Sequence, residues 1–206
     1  MAHPAIIRTP TLTARLREAS SKSREDRDLL AGRVSLDDYR LFLARMYGFH
    51  AAVERALSSS RQLASVIPDA GLRNHKAALL AHDLVALGVE RRDLLQLPRM
   101  PFPGALPLPE GLGWQYVLES LTLNGKQLSR HLARQLPAEI QCAAGYLGCY
   151  GDDVTERWRQ VCAAIDACDH SERDADRILA TVGEGFAQMR AWVHPKAQAR
   201  PSRIHA

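Results

Sequence analysis

Apolar residues recur along this chain at intervals of three and four, and nowhere over a useful length do they alternate. That period belongs to helices with one buried face. The first helix is expected from Thr11 or Thr13 to Leu30, carried by Leu12, Leu16, Ala19 and Ser23, with a threonine cap after Pro10 and Gly32 as its stop. Ser35 opens a second helix to about Ser58, and Asp38 three places on comes close to a capping box. Its stripe is Tyr39, Phe42, Leu43, Met46, Tyr47 and Val53. A third helix is expected from about Leu72 to Leu87, closed by Gly88.

The segment Leu97–Gly113, LPRMPFPGALPLPEGLG, is too rich in proline for regular structure and is expected to be an ordered surface loop within one domain. Helices follow near Leu112–Gln135, Pro137–Tyr146, Asp153–Cys168 and Ser171–Val193. The expectation is an all-α, single-domain helical bundle over residues 11–193, with an N-terminal arm at 1–10 and a disordered basic tail at 194–206.

Composition narrows the function classes. At 206 residues and 46% hydrophobic, the chain can bury one sizeable core. Its formal net charge of +4 is scattered along the chain, with no nucleic-acid motif, so no nucleic-acid partner is expected. Cys142, Cys149, Cys162 and Cys168 match no zinc spacing and read as free, largely buried thiols of a reducing cytosol. The opening MAHPAIIRTP lacks the apolar stretch of a signal peptide, and no run is long enough to span a bilayer. A cytoplasmic protein without a membrane partner is expected.

Four stretches in order carry a resemblance: LREASSKSRED (Leu16–Asp26), YRLFLARMYGFHAAVE (Tyr39–Glu54), HKAALLAHDLVALG (His75–Gly88) before the proline-rich loop, and YVLESLTLNGKQLSRHL (Tyr116–Leu132). YLGCYGDDVTERWRQV and GEGFAQMRAWV continue it. Together they resemble the bacterial haem (heme) oxygenases, especially those associated with bacteriophytochromes, over Leu12 to Val193. The resemblance implies haem as cofactor and substrate, cleaved to biliverdin, iron and carbon monoxide with electrons from outside. It also implies a proximal-helix histidine whose imidazole ligates iron, and a distal helix whose glycines let backbone approach the haem face.

Residue by residue the chain departs from that pattern. Against L-R-E-A-T-x-x-x-H, counted from Leu16, the iron-ligand position falls on Arg24, whose guanidinium has no lone pair to offer a metal. Against Y-V-L-E-G-S-T-L-G-G-Q, Ser120 and Asn124 take the places of glycines, Leu121 replaces a polar residue, Lys126 replaces glutamine, and Gly125 is kept. Ser120 and Asn124, four apart, are expected to share a helix face toward the haem space. Arg17 and Arg177 are candidate partners for propionates or other anions, with solvated arginines as the alternative.

Other candidates carry less. His50 is expected to be a core histidine with a satisfied N–H; His75, His82 and His131 are expected to be structural or at the surface. Glu54, Asp83 and Glu119 read as isolated carboxylates, with no pair for acid–base work. Cys168-Asp169-His170 marks a turn before a helix capped by Asp169 or Ser171. The residues therefore point to a haem oxygenase-like protein that does not degrade haem conventionally. It would bind a tetrapyrrole or another flat ligand, or act through a protein partner. The alternative is an active haem oxygenase with an unusual or absent proximal ligand.

Overall fold

The computed structural model describes residues 11–20, 32–168 and 171–194, with the backbone alone for Ala19 and Ser20. All regular structure among these residues is helical, and the chain forms the single all-α bundle its periodicity predicts. Helix α1 is Leu12–Ser20 and α2 is Leu36–Ser58. The short helices α3 (Arg61–Val66) and α4 (Ala70–Arg73) lead to α5 (Lys76–Ala86) and α6 (Arg91–Leu94). Then come α7 (Leu108–Leu121), a 3-10 turn at Thr122–Asn124 and α8 (Gly125–Leu132). The chain closes with α9 (Pro137–Cys142), α10 (Val154–Ala167) and α11 (Glu172–Val193).

Local chemistry sets most of these limits. Ser35 Oγ accepts the Asp38 amide at 3.2 Å, and the Asp38 carboxylate accepts the Ser35 amide at 2.9 Å, closing the capping box of α2. Ser171 caps α11 in the same way, accepting the Asp174 amide at 3.1 Å. The proline-rich loop ends at Pro107, earlier than its composition suggests. Pro109 falls in the first turn of α7, where an amide has no intrahelical partner and its loss is tolerated.

Of the expected helices, one is only partly described and three differ from those observed. The first is described only as far as Ser20, and its predicted continuation lies outside the described residues, as do the N-terminal arm and the tail beyond His194. The third is broken at Asn74–His75 into α4 and α5. The distal helix is broken by the turn at Thr122–Asn124, and α9 stops at Cys142, short of Tyr146. Each break follows from side-chain demands described below.

Helix α7 runs through the centre. Gly111 to Glu119 are all buried, so the helix has no solvent face, as expected of one packed on every side. Its main partner is α11, with α10, α2 and α3 around it, while α2 packs along α5. The α7–α11 approach depends on small residues from both sides. A Cβ on Gly113 would lie 2.8 Å from Thr181 Cβ, and one on Gly185 would lie 3.0 Å from Val117 Cγ2. Helix α1 is tied to α10 where the Thr13 amide donates to Asp166 at 2.9 Å.

This geometry gives one substitution opposite signs at two helical sites. Gly113→Ala gains up to about 1 kcal/mol of helix propensity but forces overpacking worth about 1–3 kcal/mol, so it destabilises. Gly183→Ala on α11 meets nothing within 4 Å and stabilises by up to about 1 kcal/mol. Urea unfolding of both variants checks the pair.

Candidate functional site

The distal stretch is two helices meeting at a turn. Ser120 Oγ donates to the Val117 carbonyl at 2.8 Å and Thr122 Oγ1 to the Glu119 carbonyl at 2.7 Å, so both hydroxyls turn back onto the end of α7. Such bonds compete with the helical ladder. Beyond the turn, Gly125 begins α8 directly beneath the chain at Leu147, and a Cβ there would run into the Leu147 carbonyl oxygen. The kept glycine therefore serves the packing of α8 on the 143–149 segment.

A cavity of about 40 Å³ sits at this turn, walled by Phe42 and Met46 of α2, Leu121, Asn124, Gly125 and Leu128 of the distal stretch, Tyr146 and Val193. It is mostly apolar, and Tyr146 is its link to a buried polar network. The Tyr146 hydroxyl lies 3.2 Å from His50 Nε2, and His50 Nδ1 lies 3.2 Å from Glu54. Burial lowers the pKa of His50, against the opposing pull of the Glu54 carboxylate. A neutral ring fits both contacts: Nδ1–H donates to Glu54 and Nε2 accepts from Tyr146.

Glu54 does more than hold His50. Its carboxylate accepts the Lys76 amide at 2.9 Å and the Ala77 amide at 3.2 Å, the opening amides of α5. The N-cap residue itself, His75, makes no side-chain cap bond. A carboxylate from α2 thus caps α5, where the positive end of the helix dipole favours it.

The Lys76 side chain runs the other way, into a fully buried charge cluster. Its Nζ donates to Glu119 at 2.8 Å, to the Arg73 carbonyl at 2.8 Å and to the Tyr150 hydroxyl at 2.9 Å. Glu119 also accepts from Tyr150 at 3.0 Å, Gln115 at 3.2 Å and Arg73 at 3.4 Å. Arg73 spends its remaining donors on the Pro68 and Arg157 carbonyls and Gln160. Arg73, Lys76 and Glu119 are all 0% exposed. Their convergence explains the break at Asn74–His75, which lets Arg73 and Lys76 reach Glu119 while α5 starts afresh under Glu54. Asp83 binds the Gly145 and Tyr146 amides at 2.9 and 2.8 Å, which ends α9 and turns the chain toward the cavity. Burial raises the pKa of Asp83, and these two amides oppose the rise. Burial also pushes the Cys149 thiol up to about 11, leaving it unreactive.

The sequence candidates separate. Leu121, Asn124 and Gly125 line the cavity, and Ser120 does not. The turn between them breaks the helical spacing on which the pairing of Ser120 with Asn124 rests. Arg24, which the resemblance puts at the iron-ligand position, lies outside the described residues. Arg17 is exposed and lies beside Cys162 of α10, away from the cavity. Arg177 is gripped by Glu110 at 2.7 and 2.9 Å and by Asp174 at 3.1 Å. It stands roughly 24 Å along α11 from Val193, at 1.5 Å per residue. Neither arginine lines the cavity. His50 is the satisfied core histidine expected, and His82 is exposed. The four cysteines are free, with Cys142 exposed. The reading of Glu54 and Glu119 as isolated carboxylates is corrected: Lys76 joins them, through its amide and its ammonium. Their signal in the sequence was a charge on an apolar stripe, which by itself does not name a partner.

Comparisons with known proteins agree with this architecture. The heme oxygenase family profile matches residues 11–101. A structure of the NO- and CO-bound heme oxygenase from Neisseria meningitidis is similar over 96% of this chain and 100% of that one, with a TM-score of 0.74 at 21% identity. A domain of unknown function with a heme oxygenase-like fold from Shewanella denitrificans is similar over 88% of this chain and 87% of that one, with a TM-score of 0.61 at 13% identity. No curated protein sequence matches. The chain has the haem oxygenase-like fold, and the profile match supports the same family. Among the described residues no helix is long and apolar enough to cross a membrane.

Two outcomes follow from the buried network. Glu119→Leu strands Lys76 and Arg73 as buried cations and costs about 3–5 kcal/mol, whereas adding Lys76→Met to it recovers part of that loss; urea unfolding of the single and double variants measures both. For His50 the folded-state pKa lies below the ordinary 6.5. Its contribution to stability is therefore complete above pH 6.5 and is lost as pH falls through the folded-state value. His50→Gln, which keeps a donor and an acceptor but does not titrate, flattens the pH dependence of unfolding free energy below pH 6.5.

Proposed function

We propose that this chain is a degenerate haem oxygenase: a member of that family that holds a tetrapyrrole or another flat ligand in its cytoplasmic, single-domain bundle without degrading haem in the conventional way. The observation that carries this reading is Arg24 at the position of the iron ligand, counted from Leu16. A guanidinium stays protonated and cannot coordinate iron.

The lining around the distal turn supports the same reading. The cavity of about 40 Å³ holds a water or two, while small-molecule pockets run to roughly 300–1,000 Å³. Leu121 and Asn124 extend side chains into its wall, and no histidine lines it. His131, on the neighbouring face of α8, has its Nε2 at 3.1 Å from the Gln135 side-chain nitrogen. That nitrogen only donates, so the lone pair of His131 is taken and the ring carries its proton on Nδ1. It cannot ligate iron while Gln135 holds it.

Haem titration of the purified full-length protein tests the reading. The expected result is no ferric spectrum of the histidine-ligated type and, with a reductant and oxygen, no biliverdin band. The double change Arg24→His with Asn124→Gly is expected to restore iron ligation, seen as a stoichiometric Soret shift. A wild-type protein that shifts the Soret band and yields biliverdin would instead be an active oxygenase with an unusual or absent proximal ligand, and would overturn the proposal.

A further inference from the structure

Helix α8 has a second functional-looking face beside the cavity. Gln127, Arg130, His131 and Arg134 line an open cleft of about 380 Å³ there. Helical geometry puts Gln127, Arg130 and His131 within one arc of the wheel, with Arg134 in the turn just past the helix end, while Gly125 and Leu128, which face the cavity, lie to the side. The cleft is large enough for a small molecule.

Its chemistry is one-sided. Arg130 gives its Nε–H to the Lys126 carbonyl at 3.2 Å, which anchors the side chain and leaves both terminal nitrogens to the cleft. Among the described residues neither Arg130 nor Arg134 is paired with a carboxylate, whereas Arg15, Arg92, Arg157, Arg159 and Arg177 each hold one. The nearby Lys126 is already neutralised by Asp152 at 2.6 Å. His131 adds a donor as well. The Gln135 carbonyl oxygen accepts the Val34 amide at 2.9 Å, and its nitrogen donates to the Gly32 carbonyl at 3.3 Å and to His131 Nε2. The backbone at 32–34 therefore fixes the amide, the amide fixes the tautomer, and the one remaining polar atom of His131 is an N–H.

We infer that this cleft binds an oxyanion: the carboxylate or phosphate group of a small molecule, held by the Arg130 and Arg134 guanidinium groups, with Gln127 and His131 as neutral donors. Two guanidinium groups four residues apart, neither paired with a carboxylate among the described residues, offer charge-assisted bonds to such a group, and no lining side chain is an anion that would repel it. The inference stands apart from the proposed function, since the cleft and the cavity occupy different faces of α8.

The test is calorimetric titration of the full-length protein with inorganic phosphate and, separately, with succinate, repeated on Arg130→Gln/Arg134→Gln and on the control Arg92→Gln. Saturable binding of at least one probe is expected, weakened by more than roughly tenfold in the double variant, the loss expected on removing charge-assisted bonds, and unchanged in the control. Preference for phosphate identifies a phosphorylated ligand, and preference for succinate a carboxylated one. Absence of saturable binding for both probes, or equal binding by the double variant, overturns the inference.

Discussion

A carboxylate cannot sit at zero exposure without company, and Glu119 is the group around which this bundle is organised. Removing an ionised group from water costs several kcal/mol unless other charges and donors replace the solvent. Here they come from Arg73 and Lys76 on either side of a helix break, from Tyr150 in the chain before α10, and from Gln115 one turn back on α7. Moving any of these elements would take a partner from a buried ion. The cluster therefore fixes α7 against α4, α5 and the segment after α9, more specifically than apolar contact does.

That fixed point lies immediately before the distal turn. Thr122 bonds back to the Glu119 carbonyl, so the turn is anchored to the most constrained residue of the helix. On one side of the turn, Tyr146 joins the cavity wall to His50 and Glu54. On the far side, α8 begins at a glycine pressed against the Leu147 carbonyl. The polar network and the cavity are thus parts of one arrangement. The bundle has the haem oxygenase-like fold, and this turn sits at the meeting point of its polar network and its cavity.

The periodicity of apolar residues was enough to read the bundle; residue types marked Ser35 with Asp38 as near a capping box and left Asp169 or Ser171 for the last cap, and the family resemblance pointed to a core role for His50. The breaks were not legible, because they are set by side chains far away in sequence. Asn74–His75 reads as continuous helix until Glu119 and Glu54 are known to lie on either side of it. Thr122–Asn124 reads as helix until its hydroxyls are seen to turn back. The same limit applied to the site. Arg24, Ser120 and Asn124 were candidates by counting from neighbouring motifs, and Arg17 and Arg177 by charge alone. Charge does not reveal that one rests beside Cys162 and the other is held by Glu110.

The cap that α2 lends to α5 has a consequence for how the molecule opens. The first amides of α5 have no acceptor of their own at the N-cap, and Glu54 supplies one from a helix 22 residues earlier in the chain. Helix α5 is too short to persist alone in water, so its residence in the native state is tied to that of α2. Local opening in this part of the bundle is then a joint event, with the two helices protecting their amides from solvent as one cooperative unit.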